Sequence, residues 1–120
     1  TVFNDWCYGT SVQNLTPNKI NIGVYNLAGL EILRDNKDIE LYVIYIDCSD
    51  RERLLRQLLR EENPDCHEIV RRFGTDEADF RDYKLEEVGI DLCIQNDKNY
   101  FINDVCKQIV EYLKGQNLIK

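Results

Sequence analysis

The sequence contains no methionine, one histidine, one tryptophan and two prolines, and no apolar stretch approaches the roughly 20 residues of a membrane-spanning helix. No signal-peptide pattern opens it, so a cytoplasmic location is expected. Positive charge is scarce, because 15 basic residues stand against 22 acidic ones and leave a formal charge of −7. This charge argues against binding to nucleic acid or an anionic membrane, since both depend on neutralising phosphates.

The cysteines lack the pattern of a metal site or a disulfide framework. Their number is odd and no Cys-x-x-Cys pair occurs, which favours reduced packing residues over either alternative. His67 has no partner at ligand spacing, so it is interpreted as a solvated helix residue and no metal site is predicted. The cysteines are Cys7, Cys48, Cys66, Cys93 and Cys106.

The rest of the composition is that of a folded domain. With 43% hydrophobic residues, residues 1–120 can bury a core and are predicted to form a single domain. Residues 41–46 are apolar or aromatic and predict a strand covered on both faces, as in the interior of a parallel sheet. Ser49 and Glu52 have the spacing of a capping box, which predicts that a helix starts near Asp50.

Two further strands are predicted. Residues 20–25 alternate apolar with small or polar side chains, and residues 88–94 contain another apolar run. Strands separated by helices indicate a parallel α/β sheet with right-handed crossovers, in which ligands collect at the carboxyl ends of the strands. The polar residues at those ends are Asn26, the turn at 47–50, Asn96 and Asp97.

Helices are predicted at residues 11–15, 29–33, from about Asp65 onward, and at 100–114. Each of the two longer ones carries an apolar stripe at helical spacing, and the last is expected to stop at Gly115. The stripes consist of Ile69, Val70, Phe73 and Phe80 in the former, and of Ile102, Val105, Cys106, Ile109, Val110 and Leu113 in the latter.

Taken in order, five segments resemble the guanylate kinase branch of the P-loop nucleoside monophosphate kinases, and the chain is most similar to the phage and bacterial members of that branch. The match covers nearly the whole chain, although each segment alone is a weak signal. The segments are YGT at 8–10, INIGVYNLAG at 20–29, YIDCSDRERLLRQLLR at 45–60, RRFGTDEADF at 71–80 and DLCIQND at 91–97.

The resemblance implies a three-layer α/β/α fold of the P-loop kinase type. It also implies transfer of the γ-phosphoryl group of ATP to a nucleoside or deoxynucleoside monophosphate, with GMP or dGMP as the expected acceptor and ATP and Mg²⁺ as cofactors. By this resemblance Tyr8 binds the acceptor phosphate and Thr10 faces the acceptor base. Asn96 would lie beside the adenine of ATP.

Three arginines match the family's lid and the helix that follows it, namely Arg60, Arg71 and Arg72, and the resemblance implies that they clamp the transferring phosphates. A planar guanidinium suits this role, since it offers parallel donors to phosphate oxygens. The alternative for each arginine is a surface ion pair with one of the acidic residues at 76–79. Asn26 replaces an aspartate of the family, so it can hydrogen-bond a base or a magnesium-bound water but adds no charge.

The family's phosphate-binding loop, G-x-x-x-x-G-K-[ST], does not occur in these 120 residues. In that family the loop lies upstream of the YGT turn, so the resemblance implies that this chain is the carboxyl part of a longer protein. An alternative is a catalytically inactive guanylate-kinase-like module that binds a peptide or phosphopeptide. A third is an enzyme fragment with no activity of its own.

Overall fold

The computed structural model divides the chain into two compact units, Thr1–Leu41 and Tyr42–Lys120, which are described separately. Not every residue of either unit is described. The backbone is described for residues 2–3, 6–7, 9, 11–82, 85–97 and 101–120, and the side chains for residues 9, 11, 13–80, 87–97 and 101–120.

The first unit contains a short antiparallel pair and one α-helix. Strands β1 (Val2–Phe3) and β2 (Trp6–Cys7) pair with each other. The helical turn predicted at 11–15 is present as a 3₁₀ turn, Val12–Asn14. Helix α1 (Leu27–Asp35) is longer at both ends than predicted, and its early start follows from the side chain of Asn26, which caps the first turn.

The prediction of a strand at residues 20–25 is wrong. These residues are all described and form no strand, and the side chain of Ile22 is 87% exposed. Asn21 instead closes the preceding loop: its Oδ1 accepts from the backbone N–H of Thr16 at 2.9 Å, and its Nδ2 donates to the carbonyls of Thr16 and Lys19 at 3.0 and 2.9 Å. Alternation alone cannot form a strand without a partner strand to share its hydrogen bonds.

The second unit is built on a parallel strand pair, β3 (Ile44–Asp47) and β4 (Leu92–Gln95). The predicted parallel pairing is confirmed, although β3 starts three residues later than expected and extends through Asp47. The reason lies at Val43, whose N–H donates to a carboxylate oxygen of Asp91 at 2.6 Å and whose carbonyl accepts from the Asp91 N–H at 2.9 Å. A side-chain contact therefore replaces the first rung of the ladder.

Four helices accompany this pair: α2 (Asp50–Arg60), α3 (Cys66–Asp82), α4 (Leu85–Val88) and α5 (Ile102–Gly115). The predicted start of α2, the start of α3 near Asp65 and the end of α5 at Gly115 are confirmed. At α3 the carboxylate of Asp65 accepts from the backbone N–H of Glu68 at 3.1 Å, as expected of a helix cap.

The capping box predicted for α2 is wrong. The side chain of Ser49 makes no capping hydrogen bond, and its hydroxyl donates instead to Asp97 Oδ1 at 2.6 Å. Glu52, its expected partner, is only 9% exposed and accepts from Arg56 Nε at 2.9 Å. A long-range acceptor has thus replaced the local one for the serine hydroxyl.

Burial follows the predicted stripes only in part. The prediction that the strand at residues 41–46 is covered on both faces is wrong, since the side chain of Ile46 is 40% exposed. Cys66, Cys93 and Cys106 are exposed too, which corrects their interpretation as packing residues, while all four described cysteines are free thiols. Among the described residues, Leu27, Val43, Val88, Ile94 and Val105 are buried, whereas the stripe residues Val70, Phe80, Ile102 and Val110 are exposed.

The structure is therefore of the mixed α/β class, and its described residues include one two-stranded parallel sheet. His67 is exposed on α3, as predicted. Within the described part of the chain, no helix is both long and apolar enough to cross a membrane.

Candidate functional site

The carboxyl ends of β3 and β4 meet at one edge of the sheet, where polar residues from two turns contact each other. We call Cys48, Ser49, Asn96 and Asp97 the edge cluster. Because the two strands run parallel with Asp47 opposite Gln95, both strands end at the same level of the sheet. The first turn leads directly into α2 and the second follows β4.

Asp97 joins the two turns. Its Oδ1 accepts from the Ser49 hydroxyl at 2.6 Å, from the Ser49 backbone N–H at 2.9 Å and from Cys48 Sγ at 3.7 Å. The backbone N–H of Asn96 donates to the carbonyl of Asp47 at 2.8 Å, which continues the ladder one step past β4. These contacts fix the two turns against each other at the position where parallel sheets bind ligands.

Hydrogen bonding and burial shift two pKa values in the edge cluster in opposite directions. The bonds from the Ser49 hydroxyl and backbone N–H hold the pKa of Asp97 below its ordinary value, because they stabilise the carboxylate. Burial raises the pKa of the Cys48 thiol, and the nearby Asp97 charge adds to that rise. Asp97 is therefore an anion at neutral pH, whereas Cys48 is a protonated thiol.

Asn96 is the residue matched to the adenine side of ATP. It follows β4 directly, precedes Asp97 and is half-buried. Just before it, Gln95 Nε2 donates to Asp47 Oδ2 at 2.6 Å. The backbone around Asn96 is thus held by bonds on both sides, from the Asp47 carbonyl and from Ser49 to Asp97. An amide on such a fixed turn can donate to and accept from a base edge.

A second polar group lies on the exposed surface of α3, and we call it the arginine cluster: Glu68, Arg71 and Arg72. Arg71 makes two parallel bonds of 2.7 Å, from Nε to Glu68 Oε2 and from Nη2 to Oε1. Arg72 Nε donates to the same Oε1 at 2.8 Å. These hydrogen bonds, from Arg71 first and then from Arg72, lower the pKa of Glu68 to about 2.

Arg53 connects α2 to α3, a contact that sequence reasoning missed. Its Nη1 donates to Glu77 Oε1 at 2.8 Å and to Asp50 Oδ1 at 3.3 Å, and its guanidinium carbon lies 4.7 Å from the centroid of the Phe73 ring. Its helical position suggested only a polar face. No signal in the sequence identified Glu77 as its partner, since the two residues are 24 positions apart.

The structure brings only some of the predicted site residues together. Arg71 and Arg72 converge on one carboxylate, in the surface ion pairs that were the alternative to phosphate contacts, but with Glu68 rather than an acid at 76–79. Arg60 is the exposed last residue of α2 and makes no ion pair with another described residue. Asn26 belongs to the first unit, where its Oδ1 accepts from the Gly29 N–H at 2.9 Å.

Tyr8 and Thr10, the residues matched to the acceptor nucleotide, lie outside the described residues. Among the side chains that the structure describes, no three His, Cys, Asp or Glu residues are grouped so that they could hold a metal ion. The guanidinium donors of the arginine cluster have the parallel arrangement that suits a phosphate.

Comparison with known proteins assigns the chain to no family. No family model, no curated protein and no solved structure matches it. Its function is therefore inferred from the edge cluster, the arginine cluster and the sequence resemblance.

Proposed function

We propose that this chain belongs to a nucleotide kinase resembling guanylate kinases. The reaction would transfer the γ-phosphoryl group of ATP to a nucleoside or deoxynucleoside monophosphate, with GMP or dGMP as the expected acceptor. The complete domain would be a three-layer α/β/α fold of the P-loop type.

The observation that carries the proposal is the parallel pairing of β3 with β4, which sets two polar turns side by side at one sheet edge. Nucleotide-binding α/β proteins bind their ligands at an edge of this kind. The bonds from Ser49 to Asp97 support the proposal further, because they immobilise the turn that carries Asn96. A rigid turn lowers the entropic cost of holding a base.

In this proposal each assigned site residue has a positional or electrostatic role. Asn96 hydrogen-bonds the adenine of ATP, while Arg71 and Arg72 stabilise negative charge on the transferring phosphoryl group. ATP supplies the phosphoryl group, and Mg²⁺ would be bound chiefly through the phosphates, because the described residues hold no acidic cage for it. Tyr8, Thr10 and Asn26 are assigned to the acceptor nucleotide, and Arg60 is assigned to the lid.

The test is a coupled assay of the full-length gene product with ATP, Mg²⁺ and a panel of nucleoside and deoxynucleoside monophosphates. Turnover with at least one acceptor is expected, and the Arg71→Ala, Arg72→Ala double variant should lose about 10³-fold in kcat, as when a charge-stabilising arginine is removed. Asn96→Ala should mainly raise the KM for ATP. Arg51→Ala is the matched control, because Arg51 is exposed on α2 and outside both clusters. Absence of turnover with every acceptor would overturn the proposal.

A second candidate is a non-catalytic binding module of the same fold. The observation that favours it is the engagement of both Arg71 and Arg72 by Glu68, which leaves neither guanidinium committed to an open phosphate site. For this candidate the panel assay gives no turnover. Binding of a phosphopeptide by the full-length protein, lost in the Arg71→Ala, Arg72→Ala variant, would then distinguish the module from an inactive fragment.

A further inference from the structure

Two guanidinium groups converge on a single oxyanion in the arginine cluster. Glu68 Oε1 receives hydrogen bonds from both Arg71 Nη2 and Arg72 Nε, while Oε2 receives one from Arg71 Nε. The arginine side chains remain half or more exposed, at 50% for Arg71 and 66% for Arg72. A ligand from solvent can therefore reach this group without opening the fold.

The donors around Glu68 have the geometry of a phosphate-binding pair. The two parallel bonds from Arg71 are the bidentate fork with which arginine binds carboxylate or phosphate alike. A carboxylate offers two oxygens to these donors, whereas a terminal phosphate offers three and carries more negative charge. A phosphate in the same place would therefore use the bonds that Glu68 now uses and leave room for further ones from Arg72.

We propose that Glu68 is an internal competitor for phosphate, which occupies the binding site formed by Arg71 and Arg72 until a nucleotide phosphate displaces it. The inference rests on the proposed function and adds a regulator to the same site. Glu68 keeps the two arginines oriented together while no nucleotide is bound. The two arginines are released from Glu68 only when a phosphate takes its place.

The arrangement differs from that of the other described arginines. Arg53 donates to Glu77 on α3 and Arg56 donates to Glu52 on α2, both in half-buried contacts that are less accessible to a ligand from solvent. In the arginine cluster one acid serves two arginines on the exposed side of α3, so both guanidinium groups can be reached from solvent.

The experiment measures binding of inorganic tripolyphosphate to the chain by calorimetry at low salt. Glu68→Gln removes the competing charge while keeping the size of the side chain. The Glu68→Gln variant is expected to bind tripolyphosphate about fivefold more tightly than the unmodified chain, because one exposed ion-pair competitor has been removed. Glu62→Gln is the matched control, because it changes the net charge equally at an exposed position before α3. It should change the affinity by less than about twofold.

A second readout identifies the groups involved. In ¹⁵N NMR spectra the Nε–H signals of Arg71 and Arg72 should shift on addition of tripolyphosphate, and the carboxyl-carbon signal of Glu68 should shift with them as it is released. Circular dichroism confirms that Glu68→Gln keeps its helix content. The Arg71→Ala, Arg72→Ala variant should abolish the gain seen in Glu68→Gln.

Two outcomes would overturn the inference in distinguishable ways. If tripolyphosphate shifts the arginine signals but Glu68→Gln binds no more tightly than Glu62→Gln, Glu68 only stabilises the helix, and the phosphate site of the proposed function survives. If the arginine signals stay unchanged even in Glu68→Gln, the two arginines form no phosphate site. Their catalytic role in the proposed function then fails as well.

Discussion

At the scale of single residues, the long-range bond from the Ser49 hydroxyl to Asp97 sets the polar contacts at the start of α2. Ser49 and Glu52 fit a local capping box, yet Ser49 bonds Asp97 and Glu52 pairs with Arg56. The alternatives were close in energy, because each net hydrogen bond contributes only about 1 kcal/mol. Tertiary contacts could therefore decide between them.

The acid titration of Glu68 follows from its hydrogen bonds. Its pKa falls from an ordinary 4.5 to about 2 in the folded chain, so the ionised form stabilises the fold at any pH above 4.5. This contribution is lost as the pH falls from 4.5 towards 2, because the unfolded chain then takes up the proton first. The carboxyl-carbon signal of Glu68 should titrate with a midpoint near 2.

The control for this titration is the Arg71→Ala, Arg72→Ala variant. Without its donors, Glu68 should titrate near 4.5, as an unpaired glutamate does. A midpoint near 4.5 in the unmodified chain would show that the arginine cluster does not form in solution.

Thiol reactivity should separate Cys48 from the other described cysteines. Burial raises the pKa of Cys48, and a protonated thiol is a poor nucleophile. Cys66, Cys93 and Cys106 are exposed free thiols. With iodoacetamide at pH 8, peptide mapping by mass spectrometry should show Cys48 alkylated more slowly than these three. Equal or faster labelling of Cys48 would contradict its half-buried, protonated state.

At the scale of elements, the parallel pairing of β3 and β4 is predictable from apolar runs separated by helices, whereas the depth of each side chain is not. Ile94 is 1% exposed, while Ile46 on the neighbouring strand is 40% exposed. Both residues belong to similar apolar runs. Only the placement of the helices over the sheet distinguishes them, and periodicity does not encode that placement.

This contrast predicts unequal costs of truncation. Ile94→Ala should destabilise the fold by about 2–4 kcal/mol, because it leaves a cavity in the core. Ile46→Ala, the same chemical change at an exposed position, should cost less than about 1 kcal/mol. Urea unfolding followed by circular dichroism measures both. Equal losses would show that the sheet faces are not buried as described.

The packing of α2 against α3 should depend on Arg53. Arg53→Met keeps the aliphatic stem but removes the bond to Glu77 and the charge over Phe73. We expect a loss of about 1–2 kcal/mol in the free energy of unfolding. Arg51→Met, on the exposed side of the same helix, should change it by less than about 0.5 kcal/mol. Indistinguishable denaturation midpoints for the two variants would rule out this role.

At the scale of the whole molecule, the chain forms two compact units, Thr1–Leu41 and Tyr42–Lys120. The strand pair, the edge cluster, the arginine cluster and the Arg53 contacts all lie within Tyr42–Lys120. Asn26 lies in the first unit, and the segment at 20–25 of that unit has no strand partner among the described residues.

The second unit should therefore retain its structure when expressed alone. A fragment of residues 42–120 is expected to unfold cooperatively and to keep the backbone chemical shifts of β3 and β4, because the contacts between those strands lie inside it. NMR spectra of the fragment and of the full chain measure this. A fragment without dispersed signals would show that the second unit needs the first in order to fold.

The sequence by itself determined the α/β class, the parallel strands, the start of α2 at Asp50 and the end of α5 at Gly115. The helix ends arise from hydrogen bonding and side-chain patterns within a few residues, and the α/β class and the parallel strands follow from the order in which apolar runs alternate with helices along the chain. Tertiary structure alone decided that Ser49 bonds Asp97, that Arg53 bonds Glu77 and that residues 20–25 form no strand. The bonded pairs are separated by 48 and 24 positions, and a strand requires a partner elsewhere in the chain, so no local pattern specifies either.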